Sequence, residues 1–215
     1  MADLVNGERC RAVLFDLDGV LVESFEFWRA LINHAAASEG LPAVSWQALR
    51  KSWGQDAEAD AAEFLPGWSG RRLEEFYKCH LESFADLLVL NPHAAETFIE
   101  LRSQGISTGL VTNSSKDFAA LVLRLSGLAF DTVLTSDDLQ RPKPYPEGIL
   151  QACATVGAPP ETAVYIGDSE YDRKAAAQAG VTFIWFGVGP RPALTDLRDL
   201  RQHVIEPNFK EGSWK

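Results

Sequence analysis

The sequence has few cysteines, and their spacing does not suggest a pair. Its 215 residues include only Cys10, Cys79 and Cys153, which lie far apart and form no CxxC motif. A disulfide framework needs an even set of cysteines and a zinc site needs closely spaced ligands, so neither is indicated. We therefore expect the protein to occupy a reducing compartment.

Positive charge is also scarce. The chain carries 30 acidic and 20 basic residues, for a formal net charge of -10, and shows no basic stripe. Proteins that bind nucleic acids need such a stripe to meet the phosphate backbone, so we expect no nucleic acid partner. An anionic substrate would need local positive charge or a metal ion.

Long hydrophobic runs are missing. No stretch approaches the roughly 18 uninterrupted apolar residues of a membrane-spanning helix, and the opening MADLVNGERCR lacks the apolar segment of a signal peptide. We therefore expect a cytoplasmic protein with no membrane contact. At 46% hydrophobic residues, the chain can form one large domain, or one domain with a sizeable insert.

Two patterns divide the chain. From Phe25 to about Leu90, apolar residues recur every three or four positions, which predicts helices without an intervening strand. After Pro92, helical segments alternate with short runs rich in Val, Ile and Phe, which is typical of a parallel sheet. The five predicted strands are RAVLF, STGLVT, DTVLT, TAVYIG and VTFIWF.

The predicted fold class is α/β, a Rossmann-like parallel sheet with helices on both faces and a small all-helical cap domain inserted after strand 1. The helical block is longer than a crossover between parallel strands needs. We therefore assign 1–23 and 91–215 to a core domain and 24–90 to the cap. The tail at 190–215 is charged and poorly periodic, and no element is predicted there.

Polar residues gather near the carboxyl ends of four predicted strands, the edge at which open parallel sheets bind ligands. Asp16, Asp18 and Asp168 would meet in one crevice, where their charges need compensation. Magnesium suits such an oxygen-rich site, whereas the offsets of a calcium loop are absent. Each aspartate taken singly could instead cap a helix or start a turn. The polar stretches are DLDG (16–19), TNSS (112–115), RPKP (141–144) and GDSEYD (167–172).

The second and third stretches fit a phosphate group. TNSS closes a strand and opens a helix, so its backbone N–H groups can meet an anion, with Thr112 and Asn113 nearby. Helix capping by Ser114 or Ser115 is the alternative. Lys143 lies between two prolines that stiffen the loop and could hold its ammonium toward the crevice. A lone loop lysine would otherwise be a solvated surface residue.

Together, the four stretches resemble the haloacid dehalogenase superfamily. Its motifs appear here in order from Val13 to about Trp185: DxDG, a Thr or Ser closing the second strand, a Lys before a proline-rich helix start, and GDSxxD. The helical insert after the first motif resembles subfamily I with a C1 cap, a group that includes phosphoglycolate phosphatases and beta-phosphoglucomutases. The resemblance implies a phosphatase, monomeric or dimeric, that uses Mg2+ on a small phosphorylated metabolite, nominally phosphoglycolate.

The resemblance also implies a role for each motif residue. Asp16 would attack phosphorus to form an aspartyl-phosphate, and Asp18 would protonate the leaving oxygen and later activate water. The metal-site residues would be Asp16, Asp168, Asp18 through its backbone carbonyl, and Asp172, which would position the lysine or the metal's waters. The groups that bind the phosphoryl oxygens would be Thr112, Asn113 and Lys143.

Two other functions stay open at this point. Asp18 argues against carbon–halogen cleavage, because dehalogenases lack this second acid. In beta-phosphoglucomutases a cap histidine lies ten residues beyond it, where this chain has Trp28. That replacement favours hydrolysis over phosphosugar mutation. A non-catalytic phosphoacceptor or binding module would need neither Asp18 nor a full cap.

Substrate choice is expected to depend on the cap. The stretch LRKSWGQ offers paired positive charge beside an aromatic residue and a glycine, which suits a carboxylate or a second phosphate on the substrate. The alternative is a solvated helix face with the tryptophan in the cap core. The candidate residues are Arg50, Lys51, Trp53 and Gly54.

The remaining aromatic and imidazole side chains are not expected to bind ligand. Phe25, Phe27 and Trp28 follow the catalytic loop closely and are predicted to pack at the cap hinge. The four histidines are scattered along the sequence and suggest no cluster. They are His34, His80, His93 and His203.

Overall fold

The computed structural model describes residues 4–5, 8–187 and 194–205. Its first elements are β1 (Leu4–Val5), β2 (Glu8–Arg9), β3 (Ala12–Phe15), β4 (Val22–Glu23), α1 (Phe25–Ser38), α2 (Trp46–Lys51), α3 (Ala57–Phe64), α4 (Gly70–His80) and β5 (Val89–Leu90). The elements that follow are α5 (Ala94–Ser103), β6 (Ser107–Val111), α6 (Lys116–Ser126), β7 (Thr132–Leu134), α7 (Glu147–Val156), β8 (Ala163–Gly167), α8 (Glu170–Ala179), β9 (Thr182–Trp185) and α9 (Leu200–Val204).

Five parallel strands form the central sheet, in the order β7-β6-β3-β8-β9. β3 lies in the middle, where Phe15 is opposite Leu110 of β6 on one side and Ile166 of β8 on the other. Every residue of β3 and β8 is buried, as expected for strands that are covered on both faces. The five strands predicted from the sequence are confirmed.

Helices cover both faces of the sheet because successive strand residues point to opposite sides. Phe15 packs into one buried cluster with Phe98 of α5. Its neighbour Leu14 packs into a second cluster with Ile149 of α7 and Ala175 of α8. The α/β class with helices on both faces is therefore confirmed.

The insert after the central strand consists of α1 to α4 and a 3-10 helix at Leu81–Leu87. It connects to the core through β4 and β5, which pair antiparallel, with Val22 opposite Leu90 and Glu23 opposite Val89. The sequence pattern predicted only helices from Phe25 to about Leu90, so strand β5 corrects the end of that prediction. A strand of two residues is too short to show a periodic pattern. The predicted helical insert is confirmed, and the domain boundaries drawn from the sequence stay predictions.

Both ends of the described chain carry elements that the sequence did not predict. β1 and β2 form a short antiparallel hairpin. In the tail, a 3-10 turn at Leu197–Asp199 leads into α9, which buries Leu200 and Val204. The parts of the predicted tail at 190–193 and 206–215 lie outside the described residues. Within the described ranges, no helix combines the length and apolar character needed to cross a membrane.

Candidate active site

The motif residues meet at the carboxyl edge of the sheet. β3, β6 and β8 are adjacent and in register, so the residues that follow them emerge side by side. The loop before α7 brings Lys143 to the same place. The core residues that line this cavity include Asp16, Asp18, Thr112, Asn113, Lys143 and Asp168.

Lys143 is buried between two carboxylates. Its Nζ lies 2.8 Å from Asp16 Oδ1 and 2.6 Å from Asp172 Oδ1, and it donates a hydrogen bond to the Tyr165 hydroxyl at 3.0 Å. Burial disfavours the ammonium, but the two carboxylates overcome this cost and raise the pKa of Lys143. Only 5% of the lysine is exposed. Lys143 is therefore not the solvated loop lysine considered as the alternative.

Asp172 faces this lysine and lies outside the residues that line the cavity. It is 0% exposed, and its Oδ2 accepts hydrogen bonds from the backbone N–H of Ser169 at 3.0 Å and from the Ser169 hydroxyl at 2.6 Å. Its Oδ1 accepts from Lys143 and Tyr165. Its partners match the expected lysine-positioning role better than that of a direct metal ligand.

Asp18 reaches the cavity by a turn at Gly19, whose φ is 72°. A Cβ on this glycine would lie 2.0 Å from Asp168 Oδ2, so only glycine fits. Asp18 Oδ2 accepts a hydrogen bond from the Ser114 hydroxyl at 2.6 Å, and Oδ1 accepts from the Ser24 hydroxyl. Burial raises the pKa of Asp18 although these hydrogen bonds oppose the shift. A raised pKa favours the protonated form that a general acid needs.

Trp28 also holds Asp18, and this is a correction to the sequence analysis. Its Nε1 donates to Asp18 Oδ1 at 2.6 Å, while its ring packs against Phe118, with ring centres 4.6 Å apart. The sequence assigned Trp28 to hinge packing alone. A helical position shows which residues share a face, but not that the indole N–H reaches a carboxylate on another element.

The sequence analysis also missed the roles of two serines. Ser24 precedes α1, yet its hydroxyl bonds to Asp18 and does not cap the helix. Ser114 was considered as a helix cap, but Ser115 performs that function for α6. The position of Ser114 in a polar stretch at a strand end could have suggested its role. No feature of the sequence around Ser24 suggests one.

Three carboxylates are close enough to share a cation. Oxygens of Asp16, Asp168 and Asp172 lie within 4.8 Å of one another. Asp16 Oδ1 is buried and accepts no hydrogen bond of ordinary geometry, despite the nearby lysine. Burial and the charge of Asp172 raise the pKa of Asp16 well above its ordinary range and that of Asp168 to about 7. Asp172 is engaged by Lys143 and Ser169, so Asp16 and Asp168 are the carboxylates left for a cation. These oxygen ligands, short of positive charge, fit magnesium.

The predicted phosphate-binding residues occupy two different environments. Thr112 lies on the cavity wall, and its Oγ1 accepts the backbone N–H of Ser114 at 3.0 Å. Asn113 also lines the cavity, and its phosphate-binding role stays a prediction, but its side chain is occupied. Its Nδ2 donates to the carbonyls of Gly54 and Lys143, and its Oδ1 accepts from the Lys143 backbone N–H at 2.8 Å. The Asn113 side chain therefore ties the lysine loop to the cap.

The cap candidates divide into two pairs. Trp53 and Gly54 line the cavity, and Trp53 Nε1 donates to Asp168 Oδ2 at 3.0 Å. Arg50 and Lys51 are exposed and do not line it, so the structure does not bring them to the cavity, and their role as substrate ligands stays a prediction. Because Leu49 faces inward, the next two residues of the helix point away. The Arg50 guanidinium lies over the Trp53 ring, 5.9 Å from its centre.

Cap residues that the sequence analysis did not select complete the cavity wall. Gln55 Nε2 donates to Asp60 Oδ1 at 2.6 Å, and burial raises the pKa of Asp60 to about 7. Glu74 and Tyr77 of α4 also line the cavity. No local motif marks these positions.

Two histidines lie together, contrary to the expectation of no cluster. The rings of His34 and His80 are 4.7 Å apart, and His80 stacks on Phe76 at 4.2 Å. This group packs helices of the insert against each other. No histidine is among the described residues that line the cavity.

A parallel α/β sheet, a helical insert after its central strand, and an acid-rich crevice with one buried lysine define a class of hydrolase. The chain matches the haloacid dehalogenase-like hydrolase family over residues 13–186, and it belongs to that family. The resemblance inferred from the motifs is confirmed, as is the prediction that the protein is an enzyme.

Known proteins extend the comparison. A phosphoglycolate phosphatase of Salmonella typhi is 32% identical over 203 residues, covering 80% of this chain and 79% of that protein. One from Yersinia pseudotuberculosis is 29% identical over 233 residues, covering 97% and 99%. The crystal structure of a haloacid dehalogenase-superfamily hydrolase, subfamily IA, from Geobacter sulfurreducens has a TM-score of 0.70 and 26% identity, covering 94% of this chain and all of that one.

Proposed function

We propose that the protein is a magnesium-dependent phosphatase that hydrolyses a small organic phosphomonoester through an aspartyl-phosphate. The observation that carries this proposal is the position of Asp16, which directly follows the central strand. Its Oδ1 accepts no hydrogen bond of ordinary geometry from the described residues and lies 2.8 Å from Lys143 Nζ. A carboxylate so placed has one obvious use, as a nucleophile toward an anion that the lysine also attracts.

The first half of the reaction forms the intermediate. An Asp16 oxygen attacks phosphorus, the bond between phosphorus and the ester oxygen breaks, and Asp18 gives its proton to the departing oxygen. The raised pKa of Asp18 supports this protonated starting state. Ser24, Ser114 and Trp28 fix its orientation.

The second half returns the enzyme to its starting state. Asp18, now a carboxylate, takes a proton from water, whose oxygen attacks phosphorus and displaces Asp16. Inorganic phosphate leaves and both aspartates recover their initial forms. Lys143 and the Thr112 hydroxyl would hold the phosphoryl oxygens throughout.

Magnesium, bound by Asp16, Asp168 and the backbone carbonyl of Asp18, would reduce the repulsion between the nucleophile and the phosphate dianion. Like charges 4 Å apart repel by about 4 kcal/mol at an intermediate dielectric. Lys143 alone offsets only part of that repulsion, because it already faces two carboxylates.

Phosphate release from a panel of phosphorylated metabolites tests this function. We expect turnover with magnesium and its loss when a chelator removes the metal. The names of the curated relatives make phosphoglycolate the first substrate to assay. No release from any monoester in the presence of magnesium would contradict the proposal. Conversion of glucose 1-phosphate to glucose 6-phosphate with little free phosphate would instead indicate a mutase.

A further inference from the structure

We infer that the alcohol portion of the substrate carries hydrogen-bond donors, as hydroxyl or ammonium groups, and no second anionic group. This inference rests on the proposed function, since it concerns the leaving group of the same reaction. It predicts that phosphoglycolate, whose leaving group carries a carboxylate, is not the preferred substrate.

The charge of the cavity is the first argument. Among the described lining residues, Lys143 is the only lysine or arginine, whereas five are carboxylic acids. Lys143 is held at the core end by Asp16 and Asp172. The positive pair that the sequence suggested for an anionic leaving group, Arg50 and Lys51, is exposed elsewhere. A second anion would therefore meet acids without a cation to pair with.

The free hydrogen-bonding groups of the cap wall are the second argument. Tyr77 is only 6% exposed and lines the cavity, yet its hydroxyl has no hydrogen-bond partner among the described residues. Glu74 beside it on α4 is also without a partner among them. Both groups keep free hydrogen-bonding capacity, so both suit a ligand that reaches them.

The nitrogen donors on the cap wall are already engaged, which is the third argument. Trp28 Nε1 donates to Asp18, Trp53 Nε1 donates to Asp168, and Gln55 Nε2 donates to Asp60. The groups without a hydrogen-bond partner in the described part of the chain are mainly acceptors, namely the Glu74 carboxylate and the second oxygen of Asp60. Acceptors require donors on the ligand.

Asp60 adds a reason to favour a cation. Burial, with the nearby charges of Glu63 and Asp56, holds its pKa at about 7. An ammonium group bound beside it would restore the ionised form and gain a charge-assisted hydrogen bond. A polyol would bind the same acceptors through neutral hydroxyl groups.

Matched substrates test the inference. We expect kcat/KM for phosphoethanolamine or glycerol 1-phosphate to exceed that for 2-phosphoglycolate by about tenfold or more. If kcat/KM is larger for phosphoethanolamine, the preferred substrate carries an ammonium group. If it is larger for glycerol 1-phosphate, the preferred substrate carries hydroxyl groups. A preference for 2-phosphoglycolate over both would overturn the inference.

Variants assign the effect to the cap wall. In the double variant Asp60→Asn, Glu74→Gln, we expect this preference to shrink by about tenfold. Turnover of p-nitrophenyl phosphate, whose leaving group has no donor, is the reference to which each loss of kcat/KM is normalised. Glu75→Gln is the matched control, because Glu75 neighbours Glu74 but is exposed and pairs with Arg71. An unchanged preference in a double variant that circular dichroism shows to be folded would also overturn the inference.

Binding separates this inference from the proposed function. Absence of turnover for every monoester, p-nitrophenyl phosphate included, would remove the proposed phosphatase. Calorimetric titration of Asp16→Asn with the same compounds would still reveal which leaving group the cavity prefers. Tighter binding of phosphoethanolamine or glycerol 1-phosphate supports the inference, and tighter binding of 2-phosphoglycolate, or no binding of any, contradicts it.

Discussion

The two walls of the cavity differ in how far their polar groups are satisfied. On the core wall, Asp18 accepts three hydrogen bonds and Lys143 contacts two carboxylates and a hydroxyl. On the cap wall, Glu74 and the Tyr77 hydroxyl have no partner among the described residues. Under the proposed function, the reacting groups are thus fixed before substrate binds, whereas the substrate itself completes the leaving-group end.

The walls also differ in the elements that build them. Core residues follow the ends of parallel strands, whose register places them within a narrow space. Cap residues come from the short helices α2 to α4 and their loops, which depend on packing for their position. Changes on the core wall should therefore alter chemistry and stability, and changes on the cap wall should mainly alter which substrate is accepted.

The largest effect is expected from Asp16→Asn. Loss of the nucleophile should lower kcat by more than about 10⁴-fold and prevent phosphorylation of the enzyme. Asp18→Asn should lower kcat by about 10²–10⁴-fold and leave a slowly hydrolysed phospho-enzyme, visible by intact mass spectrometry. Asp117→Asn, an exposed aspartate that pairs with Lys78, is the control. Equal activity of both variants and the wild type would refute the assignment.

The second largest effect is expected from Lys143→Met. Removing this lysine leaves buried carboxylates without their partner, so we expect the free energy of unfolding to fall by about 3–5 kcal/mol. Urea denaturation without magnesium measures this change, and phosphate release measures the accompanying loss of activity. Lys174→Met, on the exposed side of α8, should leave both nearly unchanged. If both variants lost stability and activity to a similar extent, the special role assigned to the buried lysine would be contradicted.

Trp28→Phe should have a smaller effect, because it keeps an aromatic ring against Phe118 but deletes the N–H that holds Asp18. In the second half of the reaction Asp18 is a carboxylate, and a hydrogen bond to a charged group contributes about 1.5–3 kcal/mol. If that half limits turnover, kcat should fall by at least about tenfold. KM should change little. Trp46→Phe is the control, since Trp46 is 51% exposed. A change in KM alone would place Trp28 with the substrate-binding residues instead.

The smallest effect on stability is expected from Asp60→Asn. The folded-state pKa of Asp60, about 7, lies above its ordinary value because of burial. The carboxyl group therefore binds a proton on folding between its ordinary pKa of 3.8 and about 7. Its cost is absent in acid, grows as pH rises to about 7, and is constant above that pH. The variant should melt at a higher temperature than the wild type at pH 8 and at a similar one at pH 4. An equal difference at both pH values would contradict this account.

The same contrast explains what the sequence could predict. The five strands are short, buried and rich in apolar residues, and the motif aspartates directly follow two of them, so local pattern was sufficient. The contact of Trp28 with Asp18 was not predictable, because it depends on the angle at which α1 leaves the catalytic loop. That Arg50 and Lys51 lie away from the cavity was also not predictable. Helix α2 has only 6 residues, too few for periodicity to show which side faces the cavity.

The antiparallel pair of β4 and β5 has an evolutionary consequence. Since Glu23 and Val89 are neighbours across that pair, everything between them is, in topology, one long hairpin loop. Its length and sequence place no demand on the register of the central sheet. New binding preferences can therefore arise by remodelling or exchanging this loop while the reacting residues keep their positions.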